Sequence, residues 1–151
     1  MTGWQNTLGA LATVVNGLAA GIMLATVIGV VPMMIAQPYT GYVRMVQFMR
    51  PRFDPIMPIA NGTALILDVV LAATGAIRPL HLAAAVLLAG VILISVSRNV
   101  PVNRYVMSLD PERRPDDWAR LDPRPRWQFW NTTRTLLAAT AFLLNTVAVL
   151  W

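Results

Sequence analysis

Leu80-His-Leu-Ala-Ala-Ala-Val-Leu-Leu-Ala-Gly-Val-Ile-Leu-Ile-Ser-Val-Ser-Arg-Asn-Val100 is apolar nearly throughout and meets no formal charge before Arg98. Its length matches the ~20 residues that cross a ~30 Å hydrocarbon core as a helix. Three stretches of the same kind, 8–35, 56–77 and 132–151, account for most of the remaining chain. With 56% hydrophobic and 13% charged residues among 151, and a mean hydropathy of +0.57, the fold expected is all-α. It reads as an integral membrane four-helix bundle, one transmembrane domain over 1–151 with a loop at 102–126. The start, Met1-Thr-Gly-Trp-Gln5, lacks the basic flank of a signal peptide, so the first stretch is read as a retained span.

The twelve basic residues are all Arg and lie unevenly. Arg44, Arg50 and Arg52 fall between the first two spans, and Arg98, Arg104, Arg113, Arg114, Arg120, Arg124 and Arg126 lie beside or between the last two. The turn between the second and third spans holds only Arg78 and His81. The positive-inside rule then puts both long connections in the cytoplasm and both termini outside a cell membrane. The net charge of +5 follows from that topology and from anionic headgroups, and not from a nucleic-acid partner.

Cysteine is absent, which removes disulfides, thiolate catalysis, iron–sulfur clusters and Cys-ligated haem. His81 is the one histidine, so bis-His haem and the two-His, one-carboxylate iron site have no ligand set within one chain. The reading is of a protein without metal or cofactor. His81, about 25 Å along the helix from Arg98, is expected at the membrane interface.

Gly9, Thr13, Gly17, Gly21, Ala25 and Gly29 repeat at spacing four along the first span. Such a small-residue seam serves close packing inside the bundle or homo-oligomerisation between chains, and the intrachain use is favoured. Asn16 and Asn145 read as interhelical hydrogen-bonding groups. Pro32 and Pro38 are expected to break the first helix. After them Tyr39, Tyr42, Val43, Val46, Met49 and Phe53 recur at helical spacing opposite Arg44, Gln47 and Arg50. This is an interfacial amphipathic segment, either a lid over an opening for an apolar substrate or a surface anchor. The loop that follows the third span has Trp118 as its expected membrane contact.

Chemistry-bearing side chains gather at the basic end. Trp127, Trp130, Asn131 and Arg134 stand at i, i+3, i+4 and i+7 and share a face that must point inward, since Asn and Arg would otherwise meet lipid. Ser95, Arg98 and Asn99 share a face of the third span, and Pro101 is expected to turn or kink the chain so that Asn103 folds back. The second span adds Asn61 and, about 10 Å deeper on the same face, Asp68, the one acid inside a span. Indoles and snorkelling Arg alone would be ordinary interfacial residues. The convergence of Asn and Arg with Asn61 and Asp68 reads instead as a pocket. Within it Asp68 is a base if unpaired, and structural if paired with Arg98 or Arg134.

Arg98-Asn-Val-Pro-x-Asn103, then a Trp, an Arg, and Trp127-x-x-Trp-Asn-x-x-Arg134, resembles the signature of the anthrone oxygenase-like family of small four-helix membrane proteins. The resemblance is close in the second half. In the first half it extends to the Gly-rich span and the Pro-bounded Tyr segment. It implies oxidation of a lipophilic anthrone-like polyketide by O2 without metal or flavin. On that footing Arg98, Arg134, Asn99, Asn103 and Asn131 are candidate donors to an oxyanion, Trp127 and Trp130 candidate stacking walls, and Asp68, which no family motif covers, a candidate base. Asn61, Tyr39 and Tyr42 complete the expected substrate contacts. Two other uses of the pocket stay open: a cofactor-free cyclase or isomerase, and a non-catalytic module binding a lipophilic metabolite or a partner helix.

Overall fold

The computed structural model describes residues 3–75 and 77–151; the chain start at Met1 and Thr2, and Ala76 within the expected second span, lie outside the described residues. Among the described residues all regular structure is helical. α1 (Gly3–Ala25) runs through a π-turn, Thr26–Val30, into α2 (Val31–Ala36). α3 (Tyr39–Phe53) is the amphipathic segment, and α4 (Ile56–Thr74) the second span. α5 (Arg78–Ile94) passes through a second π-turn, Ser95–Asn99, into α6 (Val100–Met107). The one-turn α7 (Trp118–Leu121) precedes α8 (Arg124–Leu150). Four helical stretches are long and apolar enough to cross a membrane: Gly3–Ala36, Ile56–Thr74, Arg78–Met107 and Trp118–Leu150.

The spanning helices form a square in which α1 packs on α4 and α8, and α5 packs on the same two. Small residues let the backbones approach: Ala12, Ala19, Ala64, Ala84, Ala138, Ala141 and Ala148 are wholly buried. Leu18, Ile28, Ile66, Val86, Leu93 and Leu136 stand on the outer faces, where a membrane protein meets lipid. The spacing-four seam divides. A Cβ on Gly17 would fall 2.7 Å from the Phe142 ring of α8, so this glycine admits a neighbour within the chain, whereas Gly21 and Gly29 face open space.

Neither Pro32 nor Pro101 breaks its helix. Proline lacks an N–H and crowds the preceding turn, and in both places that turn widens. The Val31 N–H bonds Thr26 O, and the Val100 N–H bonds Ser95 O, each five residues back. Each proline then occupies the first turn of the next helix, where the missing donor is harmless. The first break comes at Gln37, held extended (ψ 142°) ahead of Pro38. Asn103 therefore stays on a continuous helix and does not fold back.

α3 lies across the basic end with Tyr39, Tyr42, Val43 and Val46 buried. Trp118 is 3% exposed and sits edge-on to Tyr39 at 4.7 Å, not against a membrane. Its pocket exists because the segment after α6 folds back on α3. The Tyr39 hydroxyl donates to Asp110 O, Thr40 to Pro111 O and Gln47 to Leu109 O. Arg124, gripped by Asp122, donates to the carbonyls of Ile35 and Gln37 at 3.2 and 2.8 Å, which satisfies the orphan end of α2.

Candidate functional site

Where the two π-turns and α3 close the basic end, the bundle encloses a cavity of about 240 Å³. Met23, Met57 and Val91 form its apolar side. α3 covers it with Tyr42, Val46 and Met49. The polar wall comes from four helices: Asn61 on α4, Ser95 and Asn99 in the second π-turn, Asn103 on α6, and Trp127, Asn131 and Arg134 on α8. The widened turn shapes this wall. Each of its residues advances less around the axis, so Asn99, four after Ser95, returns to the same face while Arg98, three after, falls short and stays exposed.

Arg134 anchors the wall. Its Nε and Nη2 donate to Asn131 Oδ1 at 3.1 and 2.8 Å, and its Nη1 donates to Ser95 Oγ at 2.9 Å. Among the described residues no carboxylate stands within 4.0 Å of it, so its direct hydrogen bonds go to neutral groups, while the Asp54 charge acts on it from elsewhere on the cavity lining. The Trp127 indole donates to Asn103 Oδ1 at 2.9 Å. Beside these bonds several buried atoms have no partner: both polar atoms of the Asn99 side chain, Asn131 Nδ2 and Asn61 Oδ1. Asn61 Nδ2 is used by Met57 O at 2.9 Å. Buried polar atoms are normally paired. The free N–H groups of Asn99 and Asn131 can donate beside the cation, and the free oxygens of Asn99 and Asn61 can accept.

The structure brings Asn61, Asn99, Asn103, Trp127, Asn131, Arg134 and Tyr42 to one cavity wall. It leaves four expected residues off that wall. Arg98 lies over the Trp130 ring at 5.1 Å, and both stand outside the lining; Trp130, at i+3, falls at the edge of the face formed by Trp127, Asn131 and Arg134. Tyr39 is committed to the carbonyls of Asp110 and Arg113. Asp68 pairs with neither Arg98 nor Arg134. Its Oδ1 lies 3.0 Å from His81 Nδ1, and its Oδ2 accepts from Asn145 Nδ2 at 3.0 Å, with all three residues wholly buried. His81 therefore lies inside the bundle, level with Asp68 on the neighbouring helix, and not on a surface facing headgroups.

Two charged lining residues escaped the sequence reading as parts of the site. Asp54 and Arg50, at the junction of α3 and α4, form an ion pair at 2.7 Å beside the cavity. Their one signal was an acid set between two prolines, Pro51 and Pro55, where the amphipathic segment meets a span. Burial first, and the Asp122 carboxylate second, push the Tyr42 phenol above its ordinary value, so it faces the cavity protonated. No group of three or more metal-ligating side chains occurs among the described residues.

No curated protein and no solved structure matches the chain. Residues 48–144, more than half of the sequence, match the family described as anthrone oxygenase. That segment carries Asp54, Asn61, Asn99, Asn103, Trp127, Asn131 and Arg134, most of the cavity's polar lining, and by it the chain belongs to the anthrone oxygenase family.

Proposed function

We propose that the protein is a cofactor-free membrane oxygenase that converts an anthrone-like polycyclic ketone to the quinone with O2. The observation that carries this reading is Arg134, a half-buried cation with no carboxylate within 4.0 Å, beside the free side-chain N–H groups of Asn99 and Asn131. Donors preset around the place where charge develops favour an enolate over the ketone. A polycyclic substrate is itself the electron source. Its ring CH2 loses a proton to a carboxylate, and Asp54, exposed at the rim and needing to leave its pair with Arg50, is the acid among the lining residues. The enolate passes one electron to O2, and the resulting radical and superoxide join in a C–O bond. Protonation gives a hydroperoxide. Loss of the second C–H proton with cleavage of the O–O bond releases water and leaves C=O, so that CH2 and O2 become C=O and H2O.

Met23, Met57 and Val91 provide the dry surface such a sequence needs, and Trp127 a flat wall for the rings. Exposed Phe53, Pro58 and Val96 among the lining residues suit lateral arrival from the lipid. The Arg bias supports a cytoplasmic placement of this end. The test is turnover of anthrone by the purified chain in lipid nanodiscs, followed by O2 uptake and by mass spectrometry with isotopically labelled O2. Label in the new carbonyl supports the oxygenase. Conversion without O2 uptake would make the protein a cyclase or isomerase, and binding without conversion would make it a carrier module.

A further inference from the structure

Arg98 and Trp130 stand outside the cavity lining, beside a second feature of the basic end. An open groove of about 430 Å³ lies between α6 and the start of α8 and shares no residue with the cavity. Pro101, Val102 and Tyr105 of α6 line one side; Arg120, Asp122 and Arg126 line the other. Residues three or four apart are neighbours on a helix surface. Trp130 is therefore one turn deeper than Arg126 on α8, and Arg98 one turn deeper than Pro101 on the continuous helix of α5 and α6. The two meet there, with the Arg98 guanidinium carbon 5.1 Å from the centroid of the Trp130 ring. The groove thus leads from Arg120 at its mouth, past Arg126, to a cation laid on an indole.

The positive charge is not cancelled from within. Asp122, the acid among the lining residues, gives both carboxylate oxygens to Arg124 at 2.6 to 2.9 Å. Among the described residues Arg98 and Arg126 have no carboxylate within 4.0 Å, and Arg120 has the exposed Asp117 at 3.6 Å. All three Arg are exposed. An Arg that merely snorkels spreads into water, whereas stacking on Trp130 sets the plane of the Arg98 fork.

Beyond the indole the surface turns apolar. Phe129 packs edge-on to Trp130 at 5.1 Å and is exposed, as is Leu136, seven residues further on the same face of α8. An occupant of the groove meets cations at one end and lipid-facing side chains at the other. An anionic phospholipid has its groups in that order, and basic pockets between spanning helices bind such headgroups.

We propose that the groove is a binding site for an anionic phospholipid, with the phosphodiester held by Arg98 and Arg126, Arg120 at the mouth, and the acyl chains laid along Phe129 and Leu136. Arg suits this task because its planar fork meets two phosphate oxygens at once. The site is independent of the oxygenase reading, because its test involves no turnover. Native mass spectrometry of the full chain, released from nanodiscs of equal phosphatidylglycerol and phosphatidylcholine, reads the lipid retained. Wild type is expected to keep phosphatidylglycerol in preference, and the double variant Arg98→Gln with Arg126→Gln to lose that preference several-fold. Arg113→Gln, at an exposed Arg outside the groove, should leave it unchanged. Equal retention of the two lipids by wild type, or an equal loss in Arg113→Gln, overturns the site. A second measurement needs no groove Arg variant. At equal mole fraction, phosphatidylglycerol with brominated chains should quench the Trp130 fluorescence, taken as wild type minus Trp130→Phe, more strongly than brominated phosphatidylcholine does. Equal quenching overturns the site even if the double variant fails to fold. Displacement of the retained lipid by excess glycerol phosphate would make this a site for soluble phosphate esters and overturn the lipid assignment.

Discussion

Replacing Arg134 by Met removes the cation and keeps an unbranched stem in its place. In the structure this deletes three hydrogen bonds, two to Asn131 Oδ1 and one to Ser95 Oγ, and the charge that the enolate would meet. Losing one preset donor to a developing oxyanion costs about 2.7–4 kcal/mol, roughly a hundred- to a thousandfold in kcat. Stability should respond far less, because two effects oppose. Stripping the donor from Asn131 Oδ1 costs about 1–3 kcal/mol. Removing a half-buried cation that has no direct ion pair returns part of its desolvation cost. Ser95 Oγ keeps its bond to Val91 O at 2.7 Å and is not orphaned. Arg134→Lys should fall between the two, since an ammonium keeps the charge but cannot hold Asn131 and Ser95 together in a planar fork. The assay pairs anthrone-dependent O2 uptake with thermal unfolding in the same nanodiscs. A Met variant with near wild-type kcat/KM, or one whose activity falls only in step with its folded fraction, would refute the assignment.

Trp118→Ala should destabilise by about 3–5 kcal/mol, as for a buried aromatic cut to a methyl, and unseat α3; thermal unfolding and protease cleavage within 108–117 would register both. Gly17→Leu should cost about 1–3 kcal/mol by pushing the Phe142 ring from the α1–α8 interface. Gly21→Ala, which adds its Cβ in open space, should be neutral or gain up to about 1 kcal/mol of helix propensity. A melting series over both glycines checks the contrast. Because the Tyr42 phenol is raised in the folded protein, its contribution is intact below the ordinary phenol value near 10 and declines as pH rises beyond it, where the unfolded chain ionises first. The difference in tyrosinate absorbance between wild type and Tyr42→Phe should therefore appear only at higher pH than for a free phenol. A difference at or below the ordinary value would contradict the buried placement.

The four spans were legible because apolar runs of bilayer length have few other uses. The α8 wall was legible because Trp127, Asn131 and Arg134 obey helical spacing. What escaped depended on contacts between elements. A proline predicts a disturbed helix, and whether it breaks or widens depends on the turn before it, which the letters around Pro32 and Pro101 do not state. Trp118 reads as interfacial until α3 supplies Tyr39 and Tyr42 as its partners. The Asp68–His81 pair was within reach of simple arithmetic, because the two residues lie a few positions either side of the short connection between α4 and α5. Comparing His81 with Arg98 along one helix hid its neighbour across the hairpin.

The two widened turns divide each of their helices into segments with separate rotational settings. Above Thr26 and Ser95 the helices are phased to one another by the alanine core; below them, the side chains lining the cavity follow a later phase. Closing either turn to ordinary helical bonding without removing a residue would swing the lower segment by about 100°, presenting different side chains to the ligand, whereas deleting one residue as the turn closes would leave the lower segment near its present setting. A relative one residue shorter there would share the bundle and keep the same lower faces on the cavity, so single-codon length changes at these two places are ones this scaffold can absorb without repacking its core.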